Sequence, residues 1–143
     1  MISSLQPENS YQKAEKLLIG IGNQLLQLEA DFLKKYELTS QQHNMLQILK
    51  ESHPDSVSVK LIKQKMPDKM SDVSRIVEKM RKKGLLERKH SETDRRAVGV
   101  SMTGKGLSVL YEIMQVNPAL RKSGLQNLSS KEVQELIGLL EKV

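Results

Sequence analysis

The sequence contains no cysteine and no tryptophan, and aromatic residues make up only 3% of its 143 residues. Without cysteine the chain forms no disulfide, no thiolate metal site and no thiol nucleophile, which fits a reducing compartment. Proteins that bind single-stranded nucleic acid stack its bases on several exposed aromatic rings. With so few rings, we do not expect a stacking platform of that kind.

Long apolar runs are also missing. No run approaches the roughly 20 residues of a membrane-spanning helix, and the first nine residues lack the pattern of a secretory signal. We therefore expect a cytoplasmic protein that does not enter a membrane. The content of 38% hydrophobic and 28% charged residues is typical of one globular domain with its own core.

Recognised catalytic and metal-binding motifs do not occur. The three histidines, His43, His53 and His90, lack metal-ligand spacing, and there is no G-x-S-x-G motif or glycine-rich phosphate loop. Carboxylates are scattered among lysines, as on solvated helix surfaces. The sequence predicts that the protein is not an enzyme and has no catalytic residue, metal site or cofactor.

Positive charge is concentrated in the centre of the chain. The net charge is +6, from 23 basic and 17 acidic residues. Between Val57 and Lys105 there are 14 basic and 6 acidic residues, a net of +8, which leaves −2 for the remainder. A DNA backbone is the natural partner of such a segment, but a solvated lysine-rich face has the same composition.

Helices are predicted along most of the chain. In residues 10–36 apolar side chains recur at alternating intervals of three and four, which is typical of a long amphipathic helix. Thr39 and Ser129 each open a capping-box pattern, before a short helix and before the last helix. Residues 104–123 are predicted to form another helix, with a kink or break near Pro118, which lacks a backbone donor.

Two further short helices in the centre fit a helix-turn-helix. Residues 58–66 are predicted to form the first, with Leu61 and Ile62 facing inward. The second is predicted over residues 69–83, with apolar side chains on one side and mostly polar and basic ones on the other. Gly84 is expected to end it as a left-handed cap.

A β-hairpin is predicted directly after these helices. Residues 85–90 and 97–102 favour strands, and the polar segment between them carries Arg95 and Arg96 at its tip. A hairpin in this place makes a winged helix, and arginine at its tip suits the narrow minor groove of DNA. The alternative for each arginine is a solvated charge or a salt bridge with Asp94.

Several segments resemble the MarR (multiple antibiotic resistance regulator) family of winged-helix transcriptional regulators. Residues 74–88, SRIVEKMRKKGLLER, look like its recognition helix and first wing strand. Residues 94–98, DRRAV, resemble its D-x-R wing motif, and residues 101–106, SMTGKG, the start of the capped helix that follows. The order of elements matches over nearly the whole chain. One departure is Ser91, where many relatives carry an acidic or otherwise wing-tightening residue.

The resemblance implies a mainly α fold with a small β-hairpin. Residues 39–103 would form a winged helix-turn-helix DNA-binding lobe, and residues 10–37 and 104–143 a helical dimerisation region. Two chains would make a triangular homodimer whose lobes bind the half-sites of a palindrome. We expect a sequence-specific regulator of transcription that binds double-stranded DNA. A repressor is favoured over an activator.

The residues assigned to the DNA contact lie on the helix-turn-helix and the wing. They are Lys60, Lys63, Lys69, Ser71, Asp72, Ser74, Arg75, Lys79, Lys82, Arg95 and Arg96. Those best placed for base edges are Ser71, Asp72, Ser74 and Arg75. Those predicted to bind phosphates, which position the protein without specifying sequence, are Lys60, Lys63, Lys79 and Lys82. Asp94 would brace Arg96 within the wing, leaving Arg95 for the minor groove.

The resemblance also implies a small lipophilic or phenolic effector, bound in a crevice between the dimer helices and the DNA lobe. The predicted lining is Ile21, Leu25, Tyr36, His43 and Met45, although each of these residues fits ordinary core better. The alternative function is a winged-helix module for protein or RNA contact without operator specificity, since the fold does not fix the partner. Steep salt dependence and a two-fold footprint distinguish the DNA regulator from that alternative.

Overall fold

The computed structural model of the chain describes residues 9–90, 98–116 and 123–143. In chain order the described elements are α1 (Ser10–Leu33), a 3-10 turn (Lys34–Tyr36), α2 (Ser40–Lys50), β1 (Val57–Ser58), α3 (Val59–Lys65), α4 (Val73–Lys82), β2 (Leu86–His90), β3 (Val98–Met102), α5 (Gly104–Gln115), a second 3-10 turn (Leu125–Asn127) and α6 (Ser130–Leu140). The fold is mainly helical with a small antiparallel sheet, as the sequence predicts.

The chain divides into two compact units. The terminal unit comprises Met1–Phe32 with Pro118–Val143, and the central unit comprises Leu33–Asn117. Within a single chain, α5 belongs to the central unit, where it packs on α2 and buries Leu110 and Ile113. The assignment of residues 10–37 and 104–143 to dimerisation stays a prediction.

The side-chain caps explain where several helices begin. The Thr39 hydroxyl accepts a hydrogen bond from the Gln42 N–H, and the Gln42 side chain accepts one from the Thr39 N–H, both at 3.2 Å. Ser129 and Glu132 make the same reciprocal pair before α6. Both predicted capping boxes are confirmed, and each satisfies backbone donors that a helix start leaves free.

The core of the central unit is apolar and helical. Its largest fully buried side chains include Leu33, Met45, Leu46, Leu49, Ile62, Met66, Met80, Leu110 and Ile113. By contrast, α1 has no buried residue before Leu33, and α6 has none. The stable core of a single chain therefore lies in the central unit.

The sheet has three strands in the order β1–β3–β2. β2 and β3 are the predicted wing strands, paired antiparallel from Leu86 with Met102 to His90 with Val98. The sequence analysis did not predict β1, which adds only Val57 and Ser58 to the free side of β3. Such a short strand has no alternation of its own and exists because β3 offers it a partner.

α5 is shorter than the predicted helix of residues 104–123. It ends at Gln115, and Val116 has an extended backbone with φ −72° and ψ 124°. The kink predicted at Pro118 lies outside the described residues.

Candidate nucleic-acid interface

The candidate interface is built around α4, which has two different sides. Four apolar residues at helical spacing are buried, none more than 8% exposed: Val73, Ile76, Val77 and Met80. Four polar or basic residues on the other sides of the helix are exposed: Ser74, Arg75, Lys79 and Lys82. Burial of the apolar stripe fixes the rotation of the helix, so its basic side faces solvent, as predicted.

α4 begins at Val73 because Asp72 caps it. The Asp72 carboxylate accepts a hydrogen bond from the Arg75 N–H at 3.2 Å. The prediction that this helix starts at residue 69 is wrong. Lys69 and Ser71 lie instead in the turn between α3 and α4.

Ser71 is held within the protein, with 6% of its surface exposed. The side-chain amide of Gln41 on α2 donates a hydrogen bond to Ser71 Oγ at 3.3 Å. This arrangement fits a role in holding the turn better than the predicted contact with a base edge. Asp72 likewise uses its carboxylate for the helix cap, so Ser74 and Arg75 are the predicted base contacts with neither burial nor a capping role.

α3 positions the first two predicted phosphate contacts. Ser58 Oγ accepts a hydrogen bond from the Leu61 N–H at 3.1 Å and starts this helix. Ile62 is fully buried, while Lys60 and Lys63 are exposed. The prediction that Leu61 also faces inward is wrong, since it is 40% exposed. Successive helical residues are 100° apart, which turns Leu61 away from the buried side.

The basic side chains of this region fall into two groups. Some donate hydrogen bonds to acceptors within the protein, namely Lys65, Lys69, Arg81 and Lys83, and Arg88 makes an ion pair. Among the predicted DNA contacts, the side chains of four make no hydrogen bond or ion pair within the described residues: Lys60, Lys63, Arg75 and Lys79. Lys82 is exposed and interacts electrostatically with Glu78. Lys69, a predicted DNA contact, donates to the Gln64 carbonyl.

Glu78 is the one acidic residue of α4 and joins two arginines. Arg81 donates to it twice, from Nη2 to Oε1 at 2.7 Å and from Nε to Oε2 at 3.1 Å. Nη2 of Arg88, on β2, lies 3.6 Å from Oε2. The hydrogen bonds from Arg81 hold the pKa of the Glu78 carboxyl below its ordinary value, and the charges of both arginines act in the same direction.

The C-terminal end of α4 is closed by contacts that sequence analysis did not foresee. Gly84 has φ 75°, which confirms the predicted left-handed cap. Thr103 Oγ1 donates to the Gly84 carbonyl at 2.7 Å, and Lys105 Nζ donates to the Lys83 carbonyl at 3.0 Å. Lys83 Nζ donates to the Glu37 carbonyl, before α2. These bonds fix the end of the helix to both of its neighbours.

The tip of the wing carries three predicted site residues. Asp94, Arg95 and Arg96 lie outside the described residues, so their roles stay predictions. The strands that lead to and from the tip are in place, in the register given above.

The residues predicted to line an effector crevice belong to different units. Ile21 and Leu25 lie on α1 in the terminal unit, where Ile21 is 43% exposed and Leu25 is half-buried. In the central unit Tyr36 is half-buried, His43 is buried and Met45 is completely enclosed. The crevice itself stays a prediction.

The described residues show neither a membrane-spanning helix nor a metal site. Of the helices in residues 9–90, 98–116 and 123–143, none is long and apolar enough to cross a membrane. These ranges also contain no group of three or more His, Asp or Glu side chains placed to hold a metal ion.

Comparison with known proteins identifies the family. The HTH-type transcriptional regulator MgrA of Staphylococcus aureus is 34% identical over 110 residues, which cover 77% of this chain and 72% of MgrA. The MarR family model matches residues 36–97, the segment that contains α2, α3, α4 and β2. The chain belongs to the MarR family.

Solved structures confirm the winged-helix fold of this MarR-family chain. A MarR transcription factor from Planctomyces limnophilus is 26% identical, with a TM-score of 0.68 over 95% of this chain and 98% of that one. A mutant MarR from E. coli, crystallised with operator DNA, is 20% identical, with a TM-score of 0.77 over 94% and 98% of the two chains. At that lower identity the likeness concerns the fold alone.

Proposed function

We propose that this MarR-family chain is a regulator of transcription that binds double-stranded DNA with sequence specificity. The observation that carries the proposal is the exposed side of α3 and α4, where Lys60, Lys63, Arg75 and Lys79 have no side-chain partner within the described residues. The three lysines would bind phosphates and so release counterions from the DNA, while α4 enters the major groove. Ser74 and Arg75 would then meet base edges, and the wing would reach the minor groove through Arg95.

The active form in this proposal is a homodimer on a palindromic operator. Several large apolar residues of α1 and α6 are more than half exposed in a single chain: Leu17, Ile19, Leu26 and Leu139. Exposed apolar surface of this extent favours a second protein surface that covers it, and a two-fold dimer is the commonest closed assembly. Two symmetry-related α4 helices would bind the two half-sites. Sedimentation of the free protein tests this step, and a monomer at all concentrations would refute it.

Two parts of the proposal rest on the family alone. We propose that DNA binding represses transcription and that a small lipophilic or phenolic molecule releases the DNA. The measurement for the second part is the release of a preformed complex by a panel of phenolic acids, with Leu25→Ala as the variant. If no compound releases the DNA, the effector is not part of the function. If a compound releases the DNA equally from wild type and from Leu25→Ala, the predicted lining is wrong.

The decisive test of DNA binding is a footprint on duplex DNA from beside the protein's own gene, at two salt concentrations. Wild type is compared with Arg75→Ala, with Arg95→Ala for the wing and with Lys13→Ala as the control. Lys13 is an exposed cation of α1, outside the central unit. We expect a protected palindrome that salt and the two arginine variants weaken and Lys13→Ala does not.

The opposite result is equally informative. If no palindrome is protected, or if the residual binding depends neither on salt concentration nor on Arg75→Ala, the protein is not a sequence-specific DNA regulator. The winged-helix module for protein or RNA contact would then be the better account.

A further inference from the structure

We propose that Glu78 limits how tightly this protein holds DNA of any sequence, by keeping Arg81 and Arg88 away from the phosphates. Glu78 is in this view a positioning residue that acts through the two arginines and does not itself touch DNA. The inference rests on the proposed DNA binding through α4.

Glu78 is an acidic residue on the basic side of α4. It lies three residues after Arg75 and four before Lys82, so it stands among the cations of the exposed side of α4. Its side chain is 37% exposed. A carboxylate there would repel a DNA phosphate. We therefore explain its presence on this side by its contacts with Arg81 and Arg88.

Both carboxylate oxygens of Glu78 are engaged by the two arginines. The paired hydrogen bonds from Arg81 fix that guanidinium in the fork geometry that a phosphate would otherwise use. Arg88 approaches the same carboxylate from β2. Both arginine side chains are more than 40% exposed, so the carboxylate, and not burial, restrains them.

The neighbouring cations show the contrast. Arg75 and Lys79 lie on the same helix within one turn of Glu78, and their side chains have no partner within the described residues. Glu78 therefore divides the basic residues of this surface into those available to DNA and those withheld from it.

Withholding cations affects selectivity because phosphate contacts carry no sequence information. Each additional contact tightens binding to every sequence and steepens its salt dependence by about 0.9 in the log–log slope. Genomic DNA of unrelated sequence would then compete more strongly for the protein.

The test measures the salt dependence of binding to a fluorescent duplex of unrelated sequence, by anisotropy with the full chain. The variants are Glu78→Gln, Glu78→Gln combined with Arg81→Gln and Arg88→Gln, and Glu87→Gln as the matched control. Glu87 is an exposed acid on β2 whose side chain makes no ion pair within the described residues, so its loss changes the net charge by the same amount. Circular dichroism verifies that each variant is folded, and Glu78→Ala is a second version of the main change.

We expect Glu78→Gln and Glu78→Ala to steepen the slope by about 0.9 to 1.8, which corresponds to one or two released arginines. Between about 50 and about 200 mM salt, these variants should then lose about 3.5- to 12-fold more affinity than wild type loses. Glu87→Gln and the triple variant should keep the wild-type slope.

Three results would overturn the inference. If wild type binds the duplex and Glu78→Gln leaves the slope unchanged, Glu78 withholds nothing, while the proposed function stands. If the triple variant keeps a steepened slope, repulsion by the carboxylate alone explains the effect. If wild type binds no duplex at all, the proposed function fails and this inference fails with it.

Discussion

Gly106 marks the closest approach between α5 and the start of the wing, and its replacement gives a sharp test of the fold. A Cβ at this position would lie 2.3 Å from the Leu85 carbonyl oxygen and 2.8 Å from Met102 Cγ. The carbonyl cannot turn aside, because it also accepts a hydrogen bond from the Thr103 N–H at 3.0 Å. Met102 is 4% exposed and has little room to move. Gly106→Ala must therefore push α5 away from the sheet.

The expected cost follows from three effects. Inserting a methyl group into a packed contact costs about 1 to 3 kcal/mol. Alanine has the better helix propensity and returns at most about 1 kcal/mol. The shift also strains the cap of α5, in which Thr103 Oγ1 accepts from the Gly106 N–H at 3.1 Å, and such a cap is worth about 1 kcal/mol. We expect a net loss of about 1 to 3 kcal/mol in the free energy of unfolding.

Gly104→Ala is the matched control for this change. It lies in the same helical turn, and a Cβ there would meet nothing within 4 Å. We expect it to be neutral or to stabilise the protein by at most about 1 kcal/mol. Urea unfolding at a fixed protein concentration measures both variants, since a dimer's stability depends on concentration. Equal midpoints for Gly106→Ala, Gly104→Ala and wild type would show that α5 does not approach Leu85 and Met102 so closely.

Three further predictions concern α4. Asp72→Ala should cost about 1 kcal/mol in urea unfolding and Asp72→Asn much less, because asparagine also caps helices; equal losses would contradict the capping role. In binding assays Arg75→Ala should relax sequence preference, whereas Lys79→Ala should weaken all sequences equally and reduce the salt slope by about 0.9; a sequence-dependent loss for Lys79→Ala would contradict its phosphate role. The lowered pKa of Glu78 means that its contribution to stability is complete above the ordinary glutamate range and is lost as the pH falls through the lowered value. The difference in unfolding free energy between wild type and Glu78→Gln should therefore shrink on acidification from about pH 7 to about pH 3, and a difference that grows would refute the ion pair.

The features that sequence predicted well depend on neighbours a few residues apart. The capping boxes at Thr39 and Ser129 use partners three residues away, and Gly84 ends α4 through its own backbone conformation. The apolar stripe of α4 also recurs within a single helix. Such signals are complete within one stretch of chain, so no knowledge of tertiary contacts is needed to find them.

The errors arise where a residue's partner lies far along the chain. Ser71 has the composition of a polar helix surface, and only the side chain of Gln41, 30 residues earlier, shows that it is buried in a turn. β1 likewise depends on β3, about 40 residues later. The start of α4 was misplaced for a local reason, because the helix periodicity was extended backwards past the capping aspartate, Asp72.

Net charge is the property in which sequence and structure differ most. From the sequence alone, all 14 basic residues between positions 57 and 105 count equally as candidates for DNA binding. The structure shows that Arg81 and Arg88 are both paired with the single carboxylate of Glu78 and that lysines such as Lys83 donate to backbone carbonyls. The Glu78–Arg81 pair follows from helical spacing, but the approach of Arg88 requires β2 to pack beside α4. Of the described residues, only four predicted contacts have unpaired cationic side chains: Lys60, Lys63, Arg75 and Lys79. Since Arg75 is assigned to base edges, the three lysines would contribute about 2.7 to the salt slope per chain as phosphate contacts. The affinity of this surface for DNA therefore depends on which cations lack an internal partner more than on how many the sequence contains.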